Sequence, residues 1–248
     1  MYQIDPPLSP KEVLPTMYDL KSEDPEEPGL PDEFHIYQTQ LLRETFHPPT
    51  YPPDEVFVAN DLNLYYDSRH PLWYKRPDWY AVVGVSKLYE GKDLRLSYVV
   101  WQEGVNPFVV VELLSPGTEK EDLGQNLKAV DQPPTKWQVY EQILRVPYYI
   151  VFDRYTDTLR AFILQADRYT EVNLAEPRLW MPTLELGLGL WQGTYQGIER
   201  LWLRWYDVKG NWISTPAEQQ AQLAEQERQR AERLAAKLRE LGVNPDQL

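Results

Sequence analysis

The sequence predicts an α/β protein with a central mixed β-sheet flanked by helices, plus a protruding C-terminal helix. Three observations carry this. Segments 107–115 (PFVVVELLS) and 146–153 (VPYYIVFD) are apolar on both pleat faces, the pattern of strands covered on two sides. Helical spacing occurs before the first strand and again between these two. At Thr215 the chain changes abruptly to a charged, Gln/Glu/Arg-rich helix.

Along the chain, residues 1–31 are broken by Pro6, Pro7, Pro10, Pro15, Pro25, Pro28 and Pro31 and carry the acidic run Glu23, Asp24, Glu26 and Glu27, so they read as an extended arm. From Asp32 to Phe46 the spacing of Phe34, Tyr37, Leu41 and Thr45 is helical, and HPPTYPPDE stops that helix. Segments 56–66 (VFVANDLNLYY), 79–85 (WYAVVGV) and 94–101 (LRLSYVVW) are β-branched and aromatic and read as strands. After 107–115 come a Ser-Pro-Gly turn and a charged stretch to Asp131. Pro133 and Pro134 then lead to Thr135, whose spacing to Gln138 fits a capping box opening a helix from Lys136 to about Leu144. Beyond 146–153, TLRAFIL and YTEVNL form a returning hairpin, while LELGLGLW and 201–213 give shorter aromatic strands or loops. Thr215, Pro216 and Glu218 supply cap, first-position proline and capping-box acid for the last helix, closed by Gly242 and Pro245. Leu223, Leu234, Leu238 and Leu241 leave polar gaps in its heptads, so a coiled coil stays an open alternative to a lone helix. The organisation is a Pro-rich acidic arm (1–31), a core domain (32–214) and a charged helix (215–248).

Composition narrows the function. With no cysteine among 248 residues, a disulfide framework, a thiolate metal site and a cysteine nucleophile are excluded. No apolar run approaches the roughly 18 residues of a membrane span, and MYQIDPPLSPKE lacks the marks of a signal peptide; the expectation is a soluble, cytoplasmic protein. A net charge of −13 argues against general polyanion binding, because phosphate contacts need clustered Lys or Arg.

Among 38 acidic residues the informative one is Glu112, which stands in a strand buried on both faces, where a charge needs a partner or a metal. A salt bridge to a buried arginine is the structural alternative. Asp78 follows Pro77 directly before an apolar strand; the dipeptide is common in turns, but neighbouring strands would bring Asp78 and Glu112 together as hard oxygen ligands suited to Mg²⁺. Lys136, in a helix's first turn with Tyr140 one turn on, opposes the macrodipole unless an anion such as a scissile phosphate compensates it; otherwise it is a solvated lysine packed on Trp137.

Pro77-Asp78, then Val111-Glu112-Leu113-Leu114-Ser115-Pro116, Lys136 with Tyr140, Val146-Pro147-Tyr148-Tyr149 and Val151-Phe152-Asp153, in this order across residues 35–165, resemble the bacterial putative restriction endonuclease family of the PD-(D/E)XK nuclease superfamily. The Leu-Gly-Leu segment and the closing LRELGVNPD resemble the family's long members. The resemblance implies a restriction-endonuclease-like core and a Mg²⁺-dependent endonuclease (Mn²⁺ substituting) that hydrolyses DNA with metal-activated water. Asp78 and Glu112 would bind the metal, the Leu113 carbonyl would be a further ligand, and Lys136 would orient the water and stabilise charge at phosphorus. One departure stands out: Leu114 occupies the position where the superfamily carries its lysine. Lys136 fits a relocated lysine, with Lys128 and Lys120 as the other candidates. His35 and Gln38 lie where family members carry a similar pair and either line the cleft or serve surface or core. His47 and His70 have no partner at zinc-ligand spacing. Trp73, Trp79 and Trp101 are mostly structural in this reading, with base stacking as their alternative role.

Two further readings remain at this stage. A catalytically inactive nuclease fold could act as an interaction module through its C-terminal helix, and paired carboxylates with aromatic platforms could serve a glycosidase, although that leaves Lys136 unexplained. A homodimer is the expected assembly for cutting two strands, with weak, metal-assisted DNA binding.

Overall fold

In a computed structural model, residues 32–114, 122–124 and 132–241 are described. The arm (1–31), Lys120, Lys128, and Gly242 and Pro245 of the helix stop lie outside these residues.

Helix α1 (Glu33–Thr45) opens on Asp32, whose side chain accepts from the His35 N–H as N-cap. A mixed six-stranded sheet follows, in spatial order β1 (Val56–Asn60), β4 (Trp79–Val83), β6 (Val109–Leu113), β7 (Tyr148–Asp153), β8 (Thr158–Gln165) and β9 (Arg168–Glu171). β4 runs antiparallel to β6, β6 and β7 pair in parallel, and β7 through β9 form a meander. A small sheet joins β2 (Leu64–Tyr65) to β3 (Tyr74–Lys75) and, in parallel, β5 (Tyr98–Val99). A third sheet joins β10 (Arg178–Met181), β11 (Leu186–Tyr195) and β12 (Ile198–Tyr206).

Every residue of β4 and β6 is buried, as their unbroken apolar composition demands. One face of the sheet (Trp79, Ala81, Val109, Val111, Leu113) packs with α1 and the third sheet; the other (Tyr80, Val82, Val110, Val151) packs with the helical turn carrying Val139 and Tyr140. Leu113 and Glu112 therefore point to opposite sides. Gln38, buried in α1, both donates to and accepts from the Leu203 backbone of β12, so its role is to join the layers.

Several elements differ from the sequence expectation. Segment 56–66 breaks at Asp61, whose φ of 48° takes the chain out of the strand. Segment 94–101 forms only β5 before turning into the short helix α2 (Val100–Glu103), leaving Leu94 and Leu96 exposed. The helix at Lys136 keeps its Thr135–Gln138 capping box, but α3 (Lys136–Gln138) passes into a π-helical turn (Val139–Ile143). The region expected to give short strands or loops holds the longest strands, β11 and β12, paired along their length. Trp79 is fully buried in the core, which removes it as a base-stacking residue. Helix α4 (Pro216–Glu240) starts at the Thr215 capping box and has no buried residue. No helix among the described residues is long and apolar enough to cross a membrane.

Candidate functional site

The β4–β6 register pairs Trp79 with Val111, and its antiparallel continuation sets Asp78 opposite Glu112. Residues two apart share a face, so Asp78 lies on the side of Tyr80, and Glu112 on the side of Val110. This is the face that the Lys136 turn covers. Backbone and side chain lock the pair: the Leu113 N–H donates to Asp78 Oδ2 (2.6 Å), and the Asp78 N–H donates to Glu112 Oε2 (3.3 Å).

Lys136 Nζ donates to Glu112 Oε2 at 2.9 Å, and the Tyr140 hydroxyl donates to Glu112 Oε1 at 2.8 Å. Asp78, Glu112 and Lys136 thus converge, and Tyr140, one turn after the lysine, anchors the far oxygen of Glu112. Glu112 is fully buried; its partner is this lysine rather than an arginine. Lys136 is not the solvated residue of the alternative reading either. Its ammonium also lies 3.0 Å from Asp122 Oδ1, so two carboxylates compensate its unfavourable place in the helix's first turn. Asp122 is itself buried, and its backbone carbonyl accepts from the Tyr149 hydroxyl.

Burial pushes the Glu112 carboxyl well up, with the Lys136 charge opposing and the Asp78 and Asp122 charges adding to the rise. Lys136 is held well above the ordinary lysine value: burial works against its charge, but Asp122, Glu112 and Asp78 outweigh it. Asp61, whose N–H donates to the Asp78 carbonyl, is raised by burial and by the Asp78 charge.

From the opposite layer, His35 reaches the same strand end. Its Nε2 lies 3.2 Å from the Leu113 carbonyl oxygen, and its Nδ1 lies 2.7 Å from Asp32 Oδ1. Burial opposes its charge, yet the Asp32 hydrogen bond and the Asp78 and Asp32 charges hold its pKa above the usual histidine value. Asp32, bound by His35 and Arg154, is lowered to about 2 despite its own burial. Of the two α1 residues singled out in the sequence, His35 lines the site and Gln38 does not.

Sequence reasoning missed Asp61 and Asp122. Asp61 occupies the interruption of a strand pattern, and Asp122 a charged stretch read as loop; Asp122 is marked by its burial, and half-buried Asp61 by its backbone hydrogen bond to the Asp78 carbonyl. Around Lys136 and His35 stand the carboxylates Asp61, Asp78, Glu112 and Asp122, with Arg76 paired to Asp61.

A central mixed sheet bearing two acids on adjacent strands, faced by a lysine from a following helix, is consistent with the PD-(D/E)XK-like class. The chain belongs to the family Uma2, described as "Putative restriction endonuclease", whose model matches residues 16–199. Among solved structures it is similar to a putative nuclease of DUF820 from Anabaena variabilis ATCC 29413, at 11% identity and a TM-score of 0.44, over 64% of this chain and 77% of that one. No curated protein matches.

Proposed function

We propose that the protein is a Mg²⁺-dependent endonuclease that hydrolyses DNA phosphodiester bonds, with Mn²⁺ as a substitute ion. The observation that carries this reading is the convergence of Asp78, buried Glu112 and Lys136 on one face at the end of two adjacent strands. The donors suit the ion. Mg²⁺ takes one or two carboxylates with waters and substrate phosphate, and Asp78, Glu112 and the Leu113 carbonyl are hard oxygen donors. Asp78 Oδ1 makes no hydrogen bond among the described residues, and the Leu113 oxygen has a second lone pair beside the one facing His35. In this reading water and substrate phosphate complete the shell.

When bound, the ion supplies Lewis acidity at the scissile phosphate and lowers the pKa of a water. The chain's own residues do the rest. Lys136, held between Glu112 and Asp122, orients the attacking water and stabilises charge at phosphorus as the new P–O bond forms and the bond to the leaving sugar oxygen breaks. Tyr140 fixes Glu112 through its other oxygen, and His35 steadies the Leu113 carbonyl. For a double-strand cut we place two copies together as a homodimer in the cytoplasm.

The test is cleavage of plasmid DNA by the full chain in millimolar Mg²⁺, beside Asp78→Asn, Glu112→Gln and Lys136→Met. Each variant should lose at least about a hundredfold in rate. Cleavage persisting in a clean Glu112→Gln preparation refutes the assignment. A second reading, an inactive nuclease fold acting as an interaction module, is favoured by one observation: the 25 residues of α4 bury nothing. Calorimetric titration showing no binding of Mg²⁺ or Mn²⁺ at millimolar concentration would support it.

A further inference from the structure

With a net charge of −13, the chain needs local cations if a DNA strand is to lie against it. Arg200, at the start of β12, is such a cation. Its guanidinium carbon stands 4.3 Å from the centroid of the Phe34 ring and 5.4 Å from that of Trp202, in cation–π contact with both. Its one hydrogen bond among the described residues is from Nε to the adjacent Leu201 carbonyl, a long 3.4 Å, and no carboxylate there lies within ion-pair distance. The acids that face it are Asp157 and Asp32; Asp32 is already engaged by His35 and Arg154. Arg154 faces the same aromatic ring, 5.0 Å from its centroid, so two guanidinium groups flank Phe34 and repel one another. Both amino groups of the Arg200 fork therefore remain available, and a planar fork is shaped for two phosphate oxygens.

Location gives this pair its meaning. Phe34 immediately precedes His35, which contacts the Leu113 carbonyl, and the Leu113 N–H holds Asp78. Arg154 follows the last residue of β7, at the same sheet end as Leu113 of the parallel β6. We propose that Arg200, backed by Arg154 across Phe34, is a phosphate-binding subsite that grips the DNA backbone beside the scissile phosphate. The subsite rests on the nuclease reading for its ligand, and its evidence is the uncommitted guanidinium over Phe34 and Trp202.

The experiment is fluorescence anisotropy of a labelled short duplex with the full chain in EDTA, across a KCl series, for wild type, Arg200→Gln, Arg200→Lys and Lys209→Gln. Lys209 is an exposed lysine in the turn after β12. The expected results are a slope of log K against log salt that is shallower by about 0.9 for Arg200→Gln, one phosphate contact's worth, and weaker binding with the slope kept for Arg200→Lys. Lys209→Gln should match wild type. An unchanged slope in a folded Arg200→Gln overturns the subsite, and so does an equal loss in Lys209→Gln, which would mark diffuse charge. Absence of duplex binding by wild type overturns it as well. Cleavage in Mg²⁺ is scored separately. A cleaving wild type with an unchanged Arg200→Gln slope defeats the subsite alone, whereas the expected slope loss in a chain that never cleaves defeats the nuclease reading alone.

Discussion

The Glu112–Lys136 contact should behave as a coupled ionic pair that the fold tolerates and does not profit from. At 2.9 Å and an effective dielectric near 20, the attraction is worth about 6 kcal/mol, while desolvation of each ion costs several kcal/mol. The intact pair therefore contributes little net stability, but removing one partner leaves the other uncompensated. Lys136→Met leaves both Glu112 and Asp122 without their cation and should cost about 3–5 kcal/mol. Glu112→Gln is milder, about 1.5–3 kcal/mol, because Lys136 keeps Asp122 and the Tyr140 hydroxyl keeps an acceptor. In the double variant a neutral amide faces a thioether, so its loss should fall short of the sum by about 2 kcal/mol. Urea unfolding of the full chain in EDTA, followed by tryptophan fluorescence, measures all four corners of the cycle. Additivity within about 0.5 kcal/mol would show that the two groups do not sense each other and would refute the reasoning.

Two other perturbations test the frame around the site. Asp32 titrates at about 2 in the fold against 3.8 unfolded; a lowered carboxylate stabilises above the unfolded value and loses that contribution as pH falls through the folded one. The gap of 3.8 − 2 is worth at most about 2.4 kcal/mol, and solvent screening of this half-exposed carboxylate reduces it to about 1 kcal/mol, so stability measured by urea midpoint should drop modestly between pH 5 and pH 2, and Asp32→Asn should flatten that part of the profile. In β11, a Cβ on Gly187 would run into the Tyr206 ring of the paired strand, so Gly187→Ala should cost about 1–3 kcal/mol, read as a Tm several degrees lower by calorimetry. An unchanged Tm would mean the ring moves aside freely.

What the sequence disclosed and what it hid divide along physical lines. A carboxylate inside Val109-Val110-Val111-Glu112-Leu113 is visible because burial on both pleat faces is written in the residues themselves. The same is true of the Thr135 and Thr215 helix starts, whose hydrogen bonds are local. Asp122 was hidden because its contact with Lys136 joins a charged stretch to the following helix, and nothing local distinguishes it from a solvated acid. The 94–101 error has another cause: β-branched and aromatic composition reports a pleated, half-buried surface, yet here β5 finds only a two-residue partner and Leu94 and Leu96 stay outside. LELGLGLW reads as a shorter strand or loop, yet β11 contains glycines that do not break it. They serve a long pairing in which the Tyr206 ring lies over Gly187 and the Trp191 ring over Gly193, so missing side chains make room for large ones.

The place of Lys136 follows from the same packing logic. A residue two after Glu112 in an extended chain points to the same face, so a lysine there and a lysine arriving from α3 would compete for one carboxylate. In this chain Leu114 takes the first position, nine-tenths buried against the cluster that holds Val139 and Tyr140, and it fills that space with hydrocarbon. The ammonium then has to come from the covering helix, where the macrodipole disfavours it. Glu112 and Asp122 offset that cost by accepting the charge from both sides. Asp122 thus completes the setting of Lys136: an ammonium on a helix's first turn is held between two anions, Glu112 and Asp122. The acidity of the chain, read at first as an obstacle to DNA, is in this place what positions its cation.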